Sequence, residues 1–157
     1  MSLRFLFICT HNRCRSILAE AITQQLAKGR IIAASAGSQP VSDVHHLSLK
    51  FLKERGFSTK GLYSKSWHQF KDFKANAIVT LCDQAAMETC PIWFGEEVRS
   101  HWGLNDPSCV IGNEQQVKSA FYNTIDTIEH RVNSLLKLDL EQFSDIELAK
   151  QIQTLAC

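Results

Sequence analysis

The residues of this chain best suited to chemistry stand near its N-terminus, where five residues separate Cys9 from Arg15. A cysteine thiolate is a strong nucleophile, and an arginine guanidinium can bind two oxygens of a tetrahedral oxyanion. The positive field of the loop is expected to pull the pKa of the Cys9 thiol well below its free value of about 8.5. This pair therefore predicts nucleophilic attack on a bound oxyanion.

The elements around this pair are those that an anion site needs. The apolar residues 3–8 predict a buried strand, and a helical pattern begins at Ser16. The first N–H groups of a helix have no intrahelical partner, and the helix dipole adds positive charge there. The hydroxyl of Ser16 is expected to donate a hydrogen bond to the Cys9 thiolate. The loop residues expected to bind the oxyanion are Thr10, His11, Asn12, Arg13, Cys14 and Arg15.

Composition and charge are those of an ordinary globular domain. Of the 157 residues, 45% are apolar and 21% are charged, which is enough apolar content for one buried core. A net charge of +1 gives no basis for binding nucleic acid or an anionic membrane surface. The N-terminal apolar run is too short for a signal peptide or a membrane span. We therefore expect a cytoplasmic protein, and we expect it to be a monomer.

The cysteine pattern favours neither structural disulfides nor a metal site. The six cysteines are Cys9, Cys14, Cys82, Cys90, Cys109 and Cys157. A long chain with a good core and no secretion signal is not typical of disulfide-stabilised proteins. The sequence has no CxxC pair and no histidine at zinc-finger spacing, so we expect no metal and no cofactor. Reactive thiols and simply buried thiols remain as the two alternatives.

Short apolar runs predict the strands of one sheet. After the first strand, such runs occur at residues 31–36, 75–82 and 98–102. The run at 75–82 is apolar on both faces, as is typical of a central parallel strand that is covered on both sides. Strands that alternate with helices predict a single α/β domain with a four-stranded parallel sheet.

Helical spacing of apolar residues fills the intervals between these strands. Helices are predicted over residues 16–28, 42–55 and 114–138, with a short helix near Trp67. Residues 83–97 are expected to be a loop or partly helical. A capping box, Ser144-x-x-Glu147, predicts a last short helix. We expect residues 1–138 to form the catalytic unit and residues 139–157 a helical tail of the same domain.

Two further candidates follow from this topology. Ligands of open parallel sheets bind beyond the carboxyl ends of the strands, and both Cys9 and Cys82 end predicted strands. These two thiols are therefore expected at the same edge of the sheet. Asp106, which precedes a proline in a loop, could protonate a leaving oxygen. On spacing alone, an ordinary turn-forming aspartate is the favoured interpretation of Asp106.

Several of these motifs, in this order, resemble the low-molecular-weight tyrosine phosphatase superfamily. They are CTHNRCRSILAE after the first strand, SAGS after the second and a late Asp-Pro. The closer resemblance is to the thioredoxin-coupled arsenate reductases, which share Thr80-Leu81-Cys82, Cys90-Pro91 and the HWGLNDP run at 101–107. The resemblance implies a three-layer sandwich around the parallel sheet. It does not include the tail that follows residue 138.

The resemblance also implies a reaction. In it, Cys9 attacks arsenate and Asp106 acts as the general acid. Cys82 then attacks Cys9, so that arsenite leaves and a Cys9–Cys82 disulfide remains. Cys90 attacks Cys82 in turn, and thioredoxin or glutaredoxin reduces the resulting Cys82–Cys90 disulfide. Cys14 is expected to have a structural or protective role.

Two other functions remain open at this point. A tyrosine phosphatase of this superfamily would hydrolyse phosphotyrosine through a phosphocysteine on Cys9 and needs only Cys9, Arg15 and Asp106. An oxyanion sensor would bind without turnover.

The loop departs from the family pattern because His11 replaces a glycine and Arg13 replaces a serine. We expect His11 to alter the loop shape or the access of substrate, since glycine often marks a conformation that is costly for other residues. The Cys82–Cys90 spacing is one residue longer than is usual in the family.

A cation site of some relatives is another point of departure. Those relatives bind potassium at the positions of Asn12, Glu20 and Ser35, together with a Thr-Ser-Asp run. That run corresponds here to Tyr63-Ser64-Lys65. A lysine in place of the carboxylate argues against the cation site, and Lys65 could supply the charge instead.

Overall fold

A computed structural model describes residues 2–87 and 98–156 of the chain. Its strands are β1 (Leu3–Ile8), β2 (Ile31–Ala36), β3 (Ala77–Thr80) and β4 (Arg99–His101). Its α-helices are α1 (Arg15–Leu26), α2 (His46–Glu54), α3 (Asp83–Met87), α4 (Glu114–Leu136) and α5 (Asp145–Thr154). Short 3-10 turns lie at Trp67–Phe70, Pro107–Cys109 and Leu140–Gln142.

The strands form one parallel sheet in the order β2-β1-β3-β4. This confirms the predicted α/β fold with a four-stranded parallel sheet. Strand β1 lies between β2 and β3, with Phe5 opposite Ala33 on one side and Ala77 on the other. The carboxyl ends of β1, β2 and β3 therefore meet at one edge of the sheet, which is where ligands of such sheets bind.

Alternate residues of β1 enter two separate cores, as the period of a strand requires. Phe5 and Phe7 pack with residues of α1, α4 and α5 on one face. Leu6 and Ile8 pack with Trp67 and with residues of β3 on the other face. The sheet is therefore covered on both sides, and Cys9 continues the second face.

The long helix α4 begins at Glu114, as predicted, after a capping box between Asn113 and Gln116. Its predicted apolar stripe is buried at Phe121, Ile125, Ile128, Val132 and Leu135. That stripe packs against the same face of the sheet as α1. This part of the three-layer arrangement could be predicted because it depends only on local helical spacing.

Helix α2 begins at His46 and not near residue 42, so that boundary was predicted wrongly. The residues before it donate backbone hydrogen bonds to the loop after β1, from Val41 to the carbonyl of His11 and from His45 to that of Arg13. Amides used in this way are not available to extend the helix. The boundary is therefore set by a contact that is distant in sequence.

Other predicted boundaries differ by a few residues. Helix α1 ends at Leu26 because Lys28 and Gly29 adopt positive φ, and β3 and β4 are shorter than their apolar runs. In the predicted loop or partly helical segment, α3 extends to Met87, and residues 88–97 lie outside the described part of the chain.

Helix α5 follows the capping box at Ser144 and Glu147, as predicted, and it covers the edge strand β4. The side chain of Gln153 accepts a hydrogen bond from the N–H of His101 at 2.8 Å and donates one to its carbonyl at 3.2 Å. The indole of Trp102 donates to the carbonyl of Ile152 at 2.7 Å. The two bonds from Gln153 satisfy backbone groups that an edge strand would otherwise expose.

No helix within residues 2–87 and 98–156 is both long enough and apolar enough to cross a membrane.

We expect Ile152→Ala to lower the free energy of unfolding by about 2–5 kcal/mol, because it removes a fully buried side chain from the core under α5. Ile146→Ala on the same helix is the matched control, since Ile146 is half exposed. Urea unfolding of both variants measures the difference. Equal effects of the two substitutions would contradict the packing of α5 described here.

Candidate active site

The loop between β1 and α1 is seated against the end of β2. The N–H of Cys9 donates to the carbonyl of Ala36 at 3.3 Å, and the N–H of Gln39 donates to that of Thr10 at 2.9 Å. A Cβ atom at Gly37 would lie 2.7 Å from the carbonyl oxygen of Cys9 and would also clash with Thr10. Only glycine permits this approach, which gives the SAGS motif its physical role.

The strained position of the loop is Asn12 and not His11. Asn12 is fully buried with a φ of 48°, a conformation that is costly for most residues other than glycine. Its amide group donates to Ser16 Oγ at 2.8 Å and to Ser35 Oγ at 2.9 Å, and its Oδ1 accepts the N–H of Lys65 at 2.8 Å. Within the described residues, His11 is not among those with a positive φ. His11 therefore does not occupy a conformation that requires glycine, and its effect on substrate access stays a prediction.

Cys9 is 3% exposed, and its Sγ lies 2.8 Å from Ser16 Oγ, as the sequence led us to expect. Burial raises the pKa of the Cys9 thiol, and it outweighs the lowering by the hydrogen bonds with Ser16 and by the charge of Arg15. The predicted depression of the Cys9 pKa was therefore wrong. The loop supplies the stabilising groups that were predicted, but the sequence does not reveal how deeply the sulfur is buried.

Arg15 begins α1 and is held in place at two points. One terminal nitrogen donates to the carbonyl of Leu104 at 2.9 Å, and the other lies 3.5 Å from Asp106 Oδ2. Its Nε is buried and has no hydrogen-bond partner within the described ranges. A fixed guanidinium with an unused donor suits the binding of an oxyanion. Sequence reasoning missed the contribution of Leu104, because a backbone acceptor leaves no signal in residue types.

Asp106 pairs with Arg15 and also caps the 3-10 turn at Pro107–Cys109. Its Oδ1 accepts the N–H of Ser108 at 2.9 Å and the hydroxyl of Ser108 at 2.6 Å. Burial raises the pKa of this carboxyl, but the bonds from Ser108 and the charge of Arg15 outweigh it and lower the pKa overall. Asp106 is therefore a carboxylate here. An Asp-Pro-Ser run is a capping signal, so the role of Ser108 could have been found in the sequence.

Cys82 follows β3 and lies at the same edge as Cys9. Its Sγ is 3.6 Å from Thr10 Oγ1 and accepts the N–H of Ala85 at 3.4 Å. The carbonyl of Cys82 accepts the N–H of Ala86, so this residue stands at the N-terminus of α3.

The other cysteines differ in their surroundings. Cys14 is buried, and that burial raises the pKa of its thiol to about 12, which leaves it protonated. Cys109 is exposed and donates to Asp106 Oδ2 at 3.5 Å. Cys90 and Cys157 lie outside the described residues.

One pocket brings most of the predicted site residues together. It is lined by Cys9, Thr10, His11, Arg13, Cys14, Arg15, Cys82 and Asp106. Asn12 and Ser16 are fully buried and lie behind the loop, where they hold it and Cys9. Asp83, Gln84 and Asn105 also line the pocket and were not predicted. Arg13 and His11 place further positive or polar groups around an opening that suits an anion.

The potassium site of some relatives does not fit this chain. The ammonium of Lys65 lies 3.3 Å from Glu20 Oε1. The carboxylate that would bind a potassium ion is therefore already paired with a positive charge. A second positive ion at this carboxylate would be repelled by the ammonium.

Comparison with known proteins finds similar sequences and a similar structure. The chain is 31% identical to an arsenate reductase from Halalkalibacterium halodurans, over 82% of this chain and 91% of that protein. It is 26% identical to a glutaredoxin arsenate reductase from Synechocystis, over 85% of this chain and 95% of that one. The structure of a thioredoxin-dependent arsenate reductase from Corynebacterium glutamicum is similar, with a TM-score of 0.66 and 27% identity. It aligns with 87% of this chain and 61% of its own.

The model of the low molecular weight phosphotyrosine protein phosphatase family matches residues 4–153. This span includes nearly all of the sheet, the loop from Cys9 to Arg15, Asp106 and most of α5. The expectation that the family resemblance ends near residue 138 was therefore wrong. The chain therefore belongs to the low-molecular-weight phosphotyrosine protein phosphatase family.

Proposed function

We propose that this protein is an arsenate reductase that uses Cys9 as its nucleophile. The observation that carries the proposal is the second thiol, Cys82, in the pocket of Cys9, Arg15 and Asp106. Hydrolysis of a phosphate ester needs only the last three residues. Reduction of arsenate needs two electrons, and a pair of thiols supplies them when it becomes a disulfide. The similarity to arsenate reductases supports the same choice.

The opposed pKa shifts of Cys9 and Asp106 describe how the first step can begin. Burial keeps the proton on Cys9, whereas Ser108 and Arg15 keep Asp106 ionised. When arsenate takes over the guanidinium of Arg15, Asp106 loses part of that stabilisation and its pKa rises. Transfer of the Cys9 proton to Asp106, through an oxygen of the substrate, then produces a thiolate and an acid together. No proton has to come from solvent.

The thiolate then acts as the nucleophile, and Asp106 protonates the leaving group of the same displacement. A bond forms between Cys9 Sγ and arsenic, and the bond from arsenic to one arsenate hydroxyl breaks, so that this hydroxyl leaves as water after it takes the proton from Asp106. Arg15 balances the negative charge of the remaining oxygens, and the hydroxyl of Ser16 replaces the proton at sulfur until the bond has formed.

The second thiol converts this adduct into the reduced product. The Cys82 thiolate attacks Cys9 Sγ, the sulfur–arsenic bond breaks, and its electron pair remains on arsenic, which leaves as arsenite. The resulting Cys9–Cys82 disulfide is then attacked by Cys90, which restores the Cys9 thiol and moves the disulfide to Cys82–Cys90. The role of Cys90 rests on the sequence resemblance, because this residue lies outside the described part of the chain.

The lining of the pocket favours a small oxyanion over phosphotyrosine. Among the residues described at the pocket, none is a phenylalanine, tyrosine or tryptophan. A phenyl ring binds best against apolar or aromatic walls. His11 and Arg13 instead extend the polar surface, which suits a substrate that is anionic throughout.

The last disulfide requires a reductant with two thiols. We propose thioredoxin or a glutaredoxin for this step, and the cytoplasm as the compartment, since its thiol pool keeps such carriers reduced. The names of the similar proteins include both carriers, so each belongs in the assay.

Three cysteine substitutions test the relay. With thioredoxin, thioredoxin reductase and NADPH, we expect Cys9→Ser and Cys82→Ser to abolish formation of arsenite. Cys90→Ser is expected to release a single equivalent of arsenite per chain and then stop, because its Cys9–Cys82 disulfide cannot be passed on. The measurement is arsenite per mole of protein against time, repeated with glutaredoxin and glutathione.

Cys157→Ser, at the end of the chain, is the matched control and should turn over like the wild type. Repeated turnover of arsenate by Cys82→Ser would exclude the relay. Efficient hydrolysis of phosphotyrosine without reduction of arsenate would favour the phosphatase function instead.

We expect Asp106→Asn to slow arsenite formation by about a hundredfold to ten-thousandfold, as is typical for loss of a general acid. The pH profile gives a further check, because the reactive form holds one proton between Cys9 and Asp106. Activity should fall below the lowered pKa of Asp106, where both groups are protonated, and above the raised pKa of Cys9, where neither is. Asp106→Asn should lose the acidic limb of this profile.

Single-turnover rates of the pre-reduced enzyme across pH measure both effects. Asp72→Asn is the matched control, since Asp72 is exposed and does not line the pocket. An unchanged acidic limb in Asp106→Asn would assign that limb to another group and contradict the role of Asp106.

A further inference from the structure

A continuous chain of buried hydrogen bonds leads from Lys65 to the sulfur of Cys9. Lys65 lies against Glu20, and Glu20 Oε1 accepts the hydroxyl of Ser35 at 2.6 Å. Asn12 Nδ2 donates to Ser35 Oγ at 2.9 Å and to Ser16 Oγ at 2.8 Å. Ser16 Oγ is 2.8 Å from Cys9 Sγ. Asn12, Ser16 and Ser35 are fully buried, so water does not screen these steps.

The donors and acceptors of this chain are determined as far as Ser16. The N–H of Lys65 donates to Asn12 Oδ1, and this turns the NH₂ group of Asn12 toward the two serines. Ser35 donates to a carboxylate, so its oxygen accepts from Asn12. Ser16 likewise accepts from Asn12, which leaves its own proton for the sulfur. A thiolate can only accept, so this direction favours the ionised form of Cys9.

The ammonium of Lys65 is the positive charge at the far end of this chain. The side chain is 5% exposed, and its Nζ donates to the carbonyl of Tyr63 at 2.6 Å and lies 3.3 Å from Glu20 Oε1. Burial lowers the pKa of Lys65, whereas Glu20 raises it. Without this ammonium, Glu20 would be a largely buried, uncompensated negative charge one side chain away from the network that holds Cys9.

We propose that Lys65 is a positioning residue for the nucleophile, because its buried ammonium balances Glu20 and so allows the chain through Ser35, Asn12 and Ser16 to stabilise the Cys9 thiolate. Lys65 touches neither the pocket nor the sulfur, and it acts only through the other residues. The inference rests on the proposed role of Cys9 as nucleophile. It does not require that the substrate is arsenate.

Paired charge changes at Lys65 and Glu20 test the proposal by the sign of their effects. Lys65→Met removes the positive charge and keeps the apolar stem, so the pH midpoint of Cys9 alkylation should rise by about half a unit to one unit. Glu20→Gln removes the negative charge and keeps an acceptor for Ser35, so the midpoint should fall. The probe is iodoacetamide, with the rate at Cys9 read by mass spectrometry of its peptide.

Lys60→Met is the matched control, because Lys60 is exposed in the same segment and should leave the midpoint unchanged. A purely structural role would shift both charge variants in the same direction, or neither, and either result would overturn the proposal. If Lys65→Met does not fold, Glu20→Gln decides alone: a lower midpoint supports the proposal, and an unchanged or higher one overturns it.

Monovalent cations provide a second measurement on the wild-type protein. The pH midpoint of Cys9 alkylation should be the same in potassium chloride and in choline chloride at equal ionic strength. The reason is that the positive charge beside Glu20 belongs to the side chain of Lys65 and not to a bound ion. A midpoint that depends on potassium would show that a bound ion, and not Lys65, balances Glu20. Because neither measurement uses arsenate, the inference and the proposed reductase function can fail separately.

Discussion

A thiol that is buried and must nevertheless ionise is the constraint on which the site depends. At the end of β1, Cys9 is 3% exposed, and burial alone favours the protonated form. The stabilisation that opposes this comes from α1, which begins with Arg15 and Ser16. Because both side chains stand in its first turn, the direction of one helix brings its dipole, a hydroxyl and a guanidinium toward the same sulfur. A reversed helix would present carbonyl groups there instead.

The order of the strands decides which other groups reach this sulfur. Since β1 has β2 on one side and β3 on the other, the ends of two neighbours flank the loop. The end of β2 provides Gly37, whose missing side chain lets the loop approach, and the end of β3 leads to Cys82. Residues 9, 37 and 82 are far apart in the chain, and the parallel register alone makes them neighbours.

Features with a local signal could be predicted from the sequence, and features that depend on distant contacts could not. Strand β2, the start of α4 and the capping box at Ser144 are as predicted, because residue spacing determines them. The start of α2 was wrong, since backbone bonds to the anion loop replace its first turn. The raised pKa of Cys9 follows from burial, which no residue pattern reveals, whereas the bonds from Ser108 that help to keep Asp106 ionised are local. The residue types in the pocket were therefore predictable, but the protonation state of Cys9 was not.

In the proposed reaction, the thiol that attacks Cys9 also stands at the N-terminus of a helix. Cys82 Sγ accepts the N–H of Ala85 in the first turn of α3, which the structure describes over only five residues. A disulfide adds a second bond to this sulfur and restricts its position to the geometry of the Cys9–Cys82 link, so oxidation of Cys82 competes with this contact. The first turn is the costliest part of a helix to form, and it depends on such end contacts. Formation of the Cys9–Cys82 disulfide therefore itself loosens the segment that must move, since transfer to Cys90 requires a Cα separation of about 4.4–6.8 Å.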